Sequence, residues 1–226
     1  MTNFRLLCCA FLFATSAVAQ ESAKPIPPPS TDVPRHAGNP QNLVLAGGCY
    51  WGMQSVFEHV RGVKKVVAGF SGQMGGGTED QLIKRAQAAA AESVQIAFDP
   101  AQITYGQILQ IYFSVAHDPT EVDRQGPDVG PQYRSVIYYA DDEQKRIADA
   151  YIAQLQSARV FSQPIATQVE PLVAFHPVGE SQQDYVLKHA TSSYVVSVDV
   201  PKLAALRTIF PAVYADPPIT YSSASD

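Results

Sequence analysis

Cysteine is scarce in this sequence, with three in 226 residues, and Cys8 and Cys9 lie in an apolar N-terminal run that follows a single early arginine. The run ends in an A-x-A motif, which is the layout of a secretory signal peptide. We therefore predict that residues 1–19 are a signal peptide and that the protein is periplasmic or secreted after cleavage near Ala19. Cleavage leaves Cys49 as the single thiol, which excludes an internal disulfide.

The sequence also lacks an excess of basic residues, with 16 Lys and Arg against 21 Asp and Glu and a net charge of −5. This balance predicts that neither nucleic acid nor a membrane surface is a partner. The N-terminal apolar run is too short for a permanent membrane-spanning helix. No metal is expected, because one cysteine cannot build a thiolate site and the histidines show no ligand spacing; these are His36, His59, His117, His176 and His189.

What the sequence does contain is enough apolar residues for one domain with a sizeable core. We predict a proline-rich extended or disordered lead-in over 20–42, a single catalytic domain over 43–215 and a polar tail over 216–226. Strand and helix patterns mix without the strict alternation of a doubly wound sheet. The fold class is therefore predicted as α+β, a two-layer sandwich of a mixed sheet and packed helices around a ferredoxin-like core.

Local signals place several elements. The segment "NLVLAGG" (42–48) is predicted to be a short apolar strand that runs into glycines, and 63–72 is a second predicted strand. "ESVQIAFDP" alternates like a half-buried strand. Thr104 and Gln107 resemble a capping box at a helix start, and Asp141 is expected to open a long helix. The polar stretch 116–135, rich in glycine and proline, fits no regular element. A long stretch of this kind inside a domain predicts an ordered functional loop.

Cys49 stands at a predicted junction between a strand, two glycines and a helix, in "GGCYWG". The backbone N–H groups and dipole of a helix start would stabilise a thiolate and lower the pKa of the thiol. The glycines would let another molecule approach the sulfur. A small buried cysteine at a tight junction fits the same spacing equally well, so the spacing leaves both interpretations open.

Three blocks of sequence resemble the A-type peptide methionine sulfoxide reductases. "GGCYWG" is similar to the family's G-C-F-W-G signature, "AESVQIAFDP" to the segment of its catalytic glutamate, and "HDPTEVDRQGPDVGPQYRS" to its third block nearly residue for residue. The blocks occur in the family's order between about Leu43 and Tyr139. Weaker similarity continues through "ESQQDY" to about Tyr185.

The resemblance implies four catalytic residues. Cys49 is the thiol that attacks the sulfoxide sulfur, and Glu92 is the acid that protonates its oxygen, with a pKa raised by desolvation. Tyr133 hydrogen-bonds the sulfoxide oxygen. Asp128 fixes the loop and the polar network of the site.

The same resemblance implies a substrate-binding set with one departure. Tyr50 and Trp51 match the aromatic pair that surrounds the substrate's methyl group. Counting without a gap from Cys49 to Glu92, the family's second site tyrosine falls at Asp80, and an acid replaces a phenol as donor only when it is protonated.

The sequence further lacks the C-terminal recycling cysteines usual in the family. The implied substrates are oxidised methionines in exported proteins and peptides. With no bound cofactor and no second mature cysteine, a thioredoxin-like protein or a small thiol is expected to reduce the Cys49 sulfenic acid. Two other functions stay open: a cysteine hydrolase pairing Cys49 with His117, and a catalytically impaired relative that binds partners.

Overall fold

The computed structural model describes residues 22–72 and 90–222. Within these ranges the main sheet has six strands in the order β7-β6-β1-β3-β2-β8, and β4 and β5 form a separate two-stranded ribbon. The strands are β1 (Gln41–Gly47), β2 (Val63–Gly72), β3 (Ala90–Phe98), β4 (Arg124–Gln125), β5 (Asp128–Val129), β6 (Ser135–Tyr139), β7 (Gln168–Pro171) and β8 (Phe175–Pro177).

The described helices are α1 (Tyr50–Glu58), α2 (Tyr105–Ile111), α3 (Asp142–Ser157), α4 (Tyr185–Lys188) and α5 (Val200–Ile209). The capping box at α2 is confirmed, since the Thr104 side chain accepts from the Gln107 N–H and the Gln107 side chain accepts from the Thr104 N–H. Asp141 caps α3 as predicted, through the N–H of Gln144. Short π-helical turns extend α2 over Tyr112–Ala116 and precede α5 over Val195–Asp199.

The chain order β1, α1, β2, β3, α2, β6 with the strand order β6-β1-β3-β2 is the ferredoxin-like arrangement, and all three pairings within it are antiparallel. The strand β7 adds parallel to β6, which makes the sheet mixed. The predicted α+β class is therefore confirmed. This topology places the end of β1, the start of α1 and the start of β3 close together, because β1 and β3 are antiparallel neighbours.

Alternation along β1 divides the core into two parts. Leu43 and Leu45 face the main cluster, which includes buried side chains of α1, α2 and α3. Val44 and Ala46 belong to a smaller cluster with Tyr138, which Leu172 and Phe175 partly cover. Because β1 has apolar residues on both faces, both faces of the sheet must be covered there. The strand pairs with β3 on one edge and β6 on the other, so it is a central strand.

The described part of the lead-in, residues 22–40, contains no helix or strand and packs against α2 and α3. Ile26 is buried in the main cluster, the Tyr151 hydroxyl donates to the Pro27 carbonyl at 2.7 Å, and Asp32 accepts from the Gly106 N–H at 3.0 Å. In residues 22–72 and 90–222, every helix is too short or too polar to cross a bilayer.

Two buried acidic residues, Glu58 and Asp184, contact the C-terminal segment. Glu58 is 1% exposed, and burial together with the neighbouring Asp184 raises its pKa to about 9. The Glu58 carbonyl accepts from the Ile219 N–H, and Asp184 accepts from the Tyr221 N–H at 2.7 Å. Glu58 is therefore protonated and neutral in the folded protein at neutral pH.

The raised pKa of Glu58 predicts a pH-dependent stability. The folded state holds the Glu58 proton more tightly than the unfolded chain does. The contribution of this proton to the free energy of unfolding is therefore fully present below the usual glutamate pKa of 4.5 and is lost as the pH rises through about 9. Glu58→Gln, which stays neutral, should flatten the fall in the free energy of unfolding across this window, measured by urea titration at several pH values. The exposed Glu180→Gln is the control; equal slopes for both variants would contradict the assignment.

Candidate active site

Cys49 is the N-cap residue of α1 and is separated from the end of β1 only by Gly48, at the strand–helix junction that the sequence predicted. The turn into the helix passes through Gly48, whose φ of +90° lies in the left-handed region that glycine adopts without strain. A Cβ on Gly48 would lie 2.5 Å from the Gln125 side chain, and one on Gly47 would lie 3.0 Å from the His117 ring. The two glycines therefore let the 116–135 loop close directly on the turn that carries the sulfur.

The prediction of a lowered Cys49 pKa is wrong in the structure: the pKa of the thiol is raised. Cys49 is 8% exposed, and burial is the largest cause, followed by the negative charge of Glu92. The Trp51 N–H hydrogen-bonds the sulfur and lowers the pKa, as expected for a helix start, but it does not outweigh burial. A helix N-terminus stabilises a thiolate by partial charges, whereas desolvation opposes the full charge.

Glu92 lies beside the sulfur at the start of β3. Its Oε2 accepts from the Tyr50 N–H at 3.0 Å, and its carboxylate also accepts a hydrogen bond from the Cys49 thiol. Burial raises the pKa of Glu92 to about 7, and the charge of Asp128 adds to the rise. The carboxyl group is therefore poised to hold and release a proton at neutral pH, which is the condition for general acid catalysis.

The 116–135 loop brings Tyr133 and Asp128 to the same place. Tyr133 is the last residue of a 3-10 turn, Pro131–Tyr133, and faces Glu92, Asp128 and Cys49. Burial, followed by the charges of these three groups, raises its pKa to about 12. The phenol thus stays a neutral hydrogen-bond donor at neutral pH. The loop is ordered, as predicted, and it contains the β4–β5 ribbon that the sequence pattern did not reveal.

The aromatic pair after Cys49 has two different environments. Tyr50 is 7% exposed and packs edge-on against Phe70. Trp51 is half-buried; the Tyr185 ring stacks on it with centroids 3.6 Å apart, and its Nε1 donates to Gln182 at 3.1 Å. Neighbours from the "ESQQDY" segment therefore fix the orientation of the indole.

Tyr194 is a site residue that the sequence analysis missed. Its hydroxyl donates a hydrogen bond to Asp128, and its ring meets Trp51 edge-on with centroids 5.9 Å apart. Burial and the charge of Cys49 raise its pKa well above the usual range. The resemblance places the family's second tyrosine at Asp80, which lies outside the described residues. Within the described part of the site, Tyr194 supplies a phenol in addition to that of Tyr133.

A cavity of about 390 Å³ reaches the sulfur from the side of the 116–135 loop and α5. Its walls include Cys49, His117, Asp128 and, from the C-terminal segment, Val198 and Lys202. "ESQQDY" was a weak signal for Gln182 and Tyr185, whereas no pattern in the sequence pointed to Tyr194, Asp199 or Lys202. Among the described residues, no cluster of histidine, cysteine and acidic side chains is arranged to hold a metal ion.

His117 is not a partner of Cys49. Its Nε2 lies 2.7 Å from the Ser135 hydroxyl and its Nδ1 lies 3.1 Å from the Tyr112 carbonyl, so both ring nitrogens are engaged elsewhere. Burial lowers its pKa to about 3, which keeps the ring neutral. This arrangement disfavours the cysteine hydrolase, because its base must lie within hydrogen-bond reach of the nucleophile.

Known proteins resemble this chain in sequence. A family model described as peptide methionine sulfoxide reductase matches residues 41–212. "Peptide methionine sulfoxide reductase MsrA 2" of Mesorhizobium japonicum is 44% identical over 82% of this chain and 95% of its own length. The Thermus thermophilus protein named MsrA is 40% identical over 74% of this chain and 93% of its own.

Solved structures show the same fold. Methionine sulfoxide reductase A of Corynebacterium diphtheriae is 26% identical, with a TM-score of 0.57 over 77% of this chain and 87% of its own. Reduced Mxr1 of Saccharomyces cerevisiae is 24% identical, with a TM-score of 0.60 over 72% of this chain and 92% of its own, and supports the fold alone.

Proposed function

The chain belongs to the peptide methionine sulfoxide reductase family, and from this premise we propose how its residues perform the reaction. The protein is a peptide-methionine (S)-S-oxide reductase, an oxidoreductase that returns methionine sulfoxide in proteins and peptides to methionine. The observation that carries the proposal is the contact between the Cys49 sulfur and the Glu92 carboxyl group at the start of α1.

In the first step the Cys49 thiolate attacks the sulfoxide sulfur. A sulfoxide oxygen is a poor leaving group, so it must be protonated as the new bond forms. Glu92, whose pKa of about 7 keeps about half of it protonated at pH 7, donates that proton. The net change is that methionine sulfoxide is reduced to methionine and the Cys49 thiol is oxidised to a sulfenic acid.

Tyr133 supports this step as a neutral donor to the sulfoxide oxygen, since its phenol faces Glu92 and Cys49. Asp128 holds the loop through its hydrogen bond from Tyr194 and keeps the pKa of Glu92 high by its charge. Trp51, clamped by Tyr185, offers the apolar surface for the substrate's methyl group. We assign these three roles from their positions around the sulfur.

Recycling needs a thiol from outside the chain. If the signal peptide is cleaved near Ala19, no second cysteine remains to condense with the sulfenic acid. A thioredoxin-like protein or a small thiol would then attack the Cys49 sulfenic acid, releasing water and leaving a mixed disulfide. We place this chemistry in the periplasm or outside the cell, on the strength of the N-terminal sequence alone.

The proposal predicts a burst of one methionine per chain. With the S epimer of a methionine sulfoxide peptide and no reductant, methionine should form once and then stop; added dithiol should restart turnover at a rate that rises with thiol concentration. Methionine is measured by chromatography after rapid quenching, and the R epimer is the control. Equal rates on both epimers would argue against the assignment, and no methionine at all would point to the catalytically impaired relative.

A further inference from the structure

The C-terminal segment places a charged pair on the first turn of α1. A Cβ on Gly52 would lie 2.2 Å from Asp199 Oδ1 and 3.0 Å from Lys202 Nζ, so both groups lie on the backbone three residues after Cys49. The two charges are 3.9 Å apart. The Asp199 side chain is 1% exposed and the Lys202 side chain 14%, so solvent screens neither charge well.

The surroundings of the sulfur are otherwise acidic or neutral. Glu92 on β3, Asp128 on β5 and Asp199 before α5 supply negative charge, and the buried His117 ring is neutral. Tyr133 and Tyr194 are un-ionised phenols, and Asp118 is a further acid in the cavity wall. Among the described residues lining this cavity, Lys202 is the one cationic side chain.

We propose that Lys202 is the positioning residue that compensates for the negative surroundings of Cys49, stabilising its thiolate for attack and as the group displaced during recycling. This role rests on the proposed function. Burial, Glu92 and Asp199 raise the pKa of Cys49, whereas the hydrogen bond from the Trp51 backbone N–H and the charge of Lys202 lower it. The Asp199 carboxylate opposes this effect on the pKa of Cys49, and as the ion-pair partner of Lys202 it holds the ammonium in place.

The recycling chemistry explains why a cation is needed here. An external thiol RSH first converts the sulfenic acid to a mixed disulfide, Cys49–S–S–R, and releases water. A second thiolate, RS⁻, then attacks the sulfur of R, forms RSSR and expels the Cys49 thiolate. Leaving-group thiols of lower pKa depart faster, so a buried sulfur needs the nearby ammonium.

The test is the pH profile of Cys49 alkylation by iodoacetamide in the full chain, followed on the Cys49 peptide by mass spectrometry without any sulfoxide. Lys202→Gln should move the midpoint to higher pH and slow alkylation at pH 7, because less of the thiol is ionised. Lys202→Arg should retain the wild-type profile. Asp199→Asn should move the midpoint to lower pH. A general loosening of the fold would move the midpoints of both variants in the same direction, so opposite shifts separate the charge effect from a structural one.

Lys145→Gln, an exposed lysine on α3 paired with Asp149, is the control for lost charge. If Lys202→Gln fails to fold because Asp199 is left buried without its partner, the double variant Asp199→Asn/Lys202→Gln is compared with Asp199→Asn. The double variant should then be the slower of the two. Identical pH profiles for Lys202→Gln and wild type would overturn the role of Lys202. Identical profiles for the double variant and Asp199→Asn would do the same, and neither result would contradict the proposed reductase activity.

Discussion

Cys49→Ser should abolish methionine formation while leaving the fold intact. The serine hydroxyl is smaller than the thiol and fits the same helix N-cap, but its oxygen is a poor nucleophile toward a sulfoxide sulfur and cannot become a sulfenic acid. The measurement is the yield of methionine per chain from an S-sulfoxide peptide with excess dithiol. Unchanged near-ultraviolet circular dichroism is the control for packing.

Retained turnover in Cys49→Ser would contradict the mechanism outright, because no other thiol of the described residues lies in the site. Cys8 and Cys9 are the sole remaining candidates in the sequence. Repeating the assay in a chain that carries Cys8→Ser and Cys9→Ser would reveal any contribution from them.

Glu92→Gln should slow the sulfoxide step by about 10²–10⁴-fold, the usual contribution of a general acid. The amide can still accept the Tyr50 N–H, so the start of α1 is preserved while the proton is lost. Single-turnover methionine formation is the measurement. Tyr133→Phe, which removes one hydrogen bond to the oxygen and no proton source, should cost less, and Glu143→Gln on the exposed face of α3 should cost nothing.

The same variant carries a pH signature. Because Glu92 must be protonated and its pKa is about 7, the sulfoxide step should lose its acid as the pH rises above 7. In Glu92→Gln this loss should disappear, and the remaining slow rate should rise with pH as Cys49 ionises. If Glu92→Gln reacts as fast as wild type, the proton comes from elsewhere, and Asp80→Asn is the next variant to measure.

Much of the site could be predicted because its residues sit in contiguous blocks. The strand–glycine–helix turn at Cys49 needs only local signals, whereas the role of Glu92 is implied only by the resemblance of its block to the family. The capping box at Thr104 and the cap at Asp141 are likewise local. The turn and the two helix caps depend only on residues that are close together in the sequence.

The rest depends on packing between distant segments. Tyr194 and Lys202 reach Cys49 from more than 140 residues away, through a π-helical turn that has no sequence signature. The error in the direction of the Cys49 pKa has the same origin. The helix start is visible in the sequence, whereas the burial that outweighs it depends on how distant segments pack around the sulfur.

The most direct test of the central claim is the oxidation state of Cys49 after one turnover. The full chain is mixed with an S-sulfoxide peptide in the absence of thiol, quenched with a sulfenic-acid-specific dimedone probe, and mapped by peptide mass spectrometry. The mechanism predicts one methionine per chain and a dimedone adduct on Cys49 that is absent without sulfoxide. Methionine formed with Cys49 unmodified, or with Cys49 in a disulfide to Cys8 or Cys9, would contradict it.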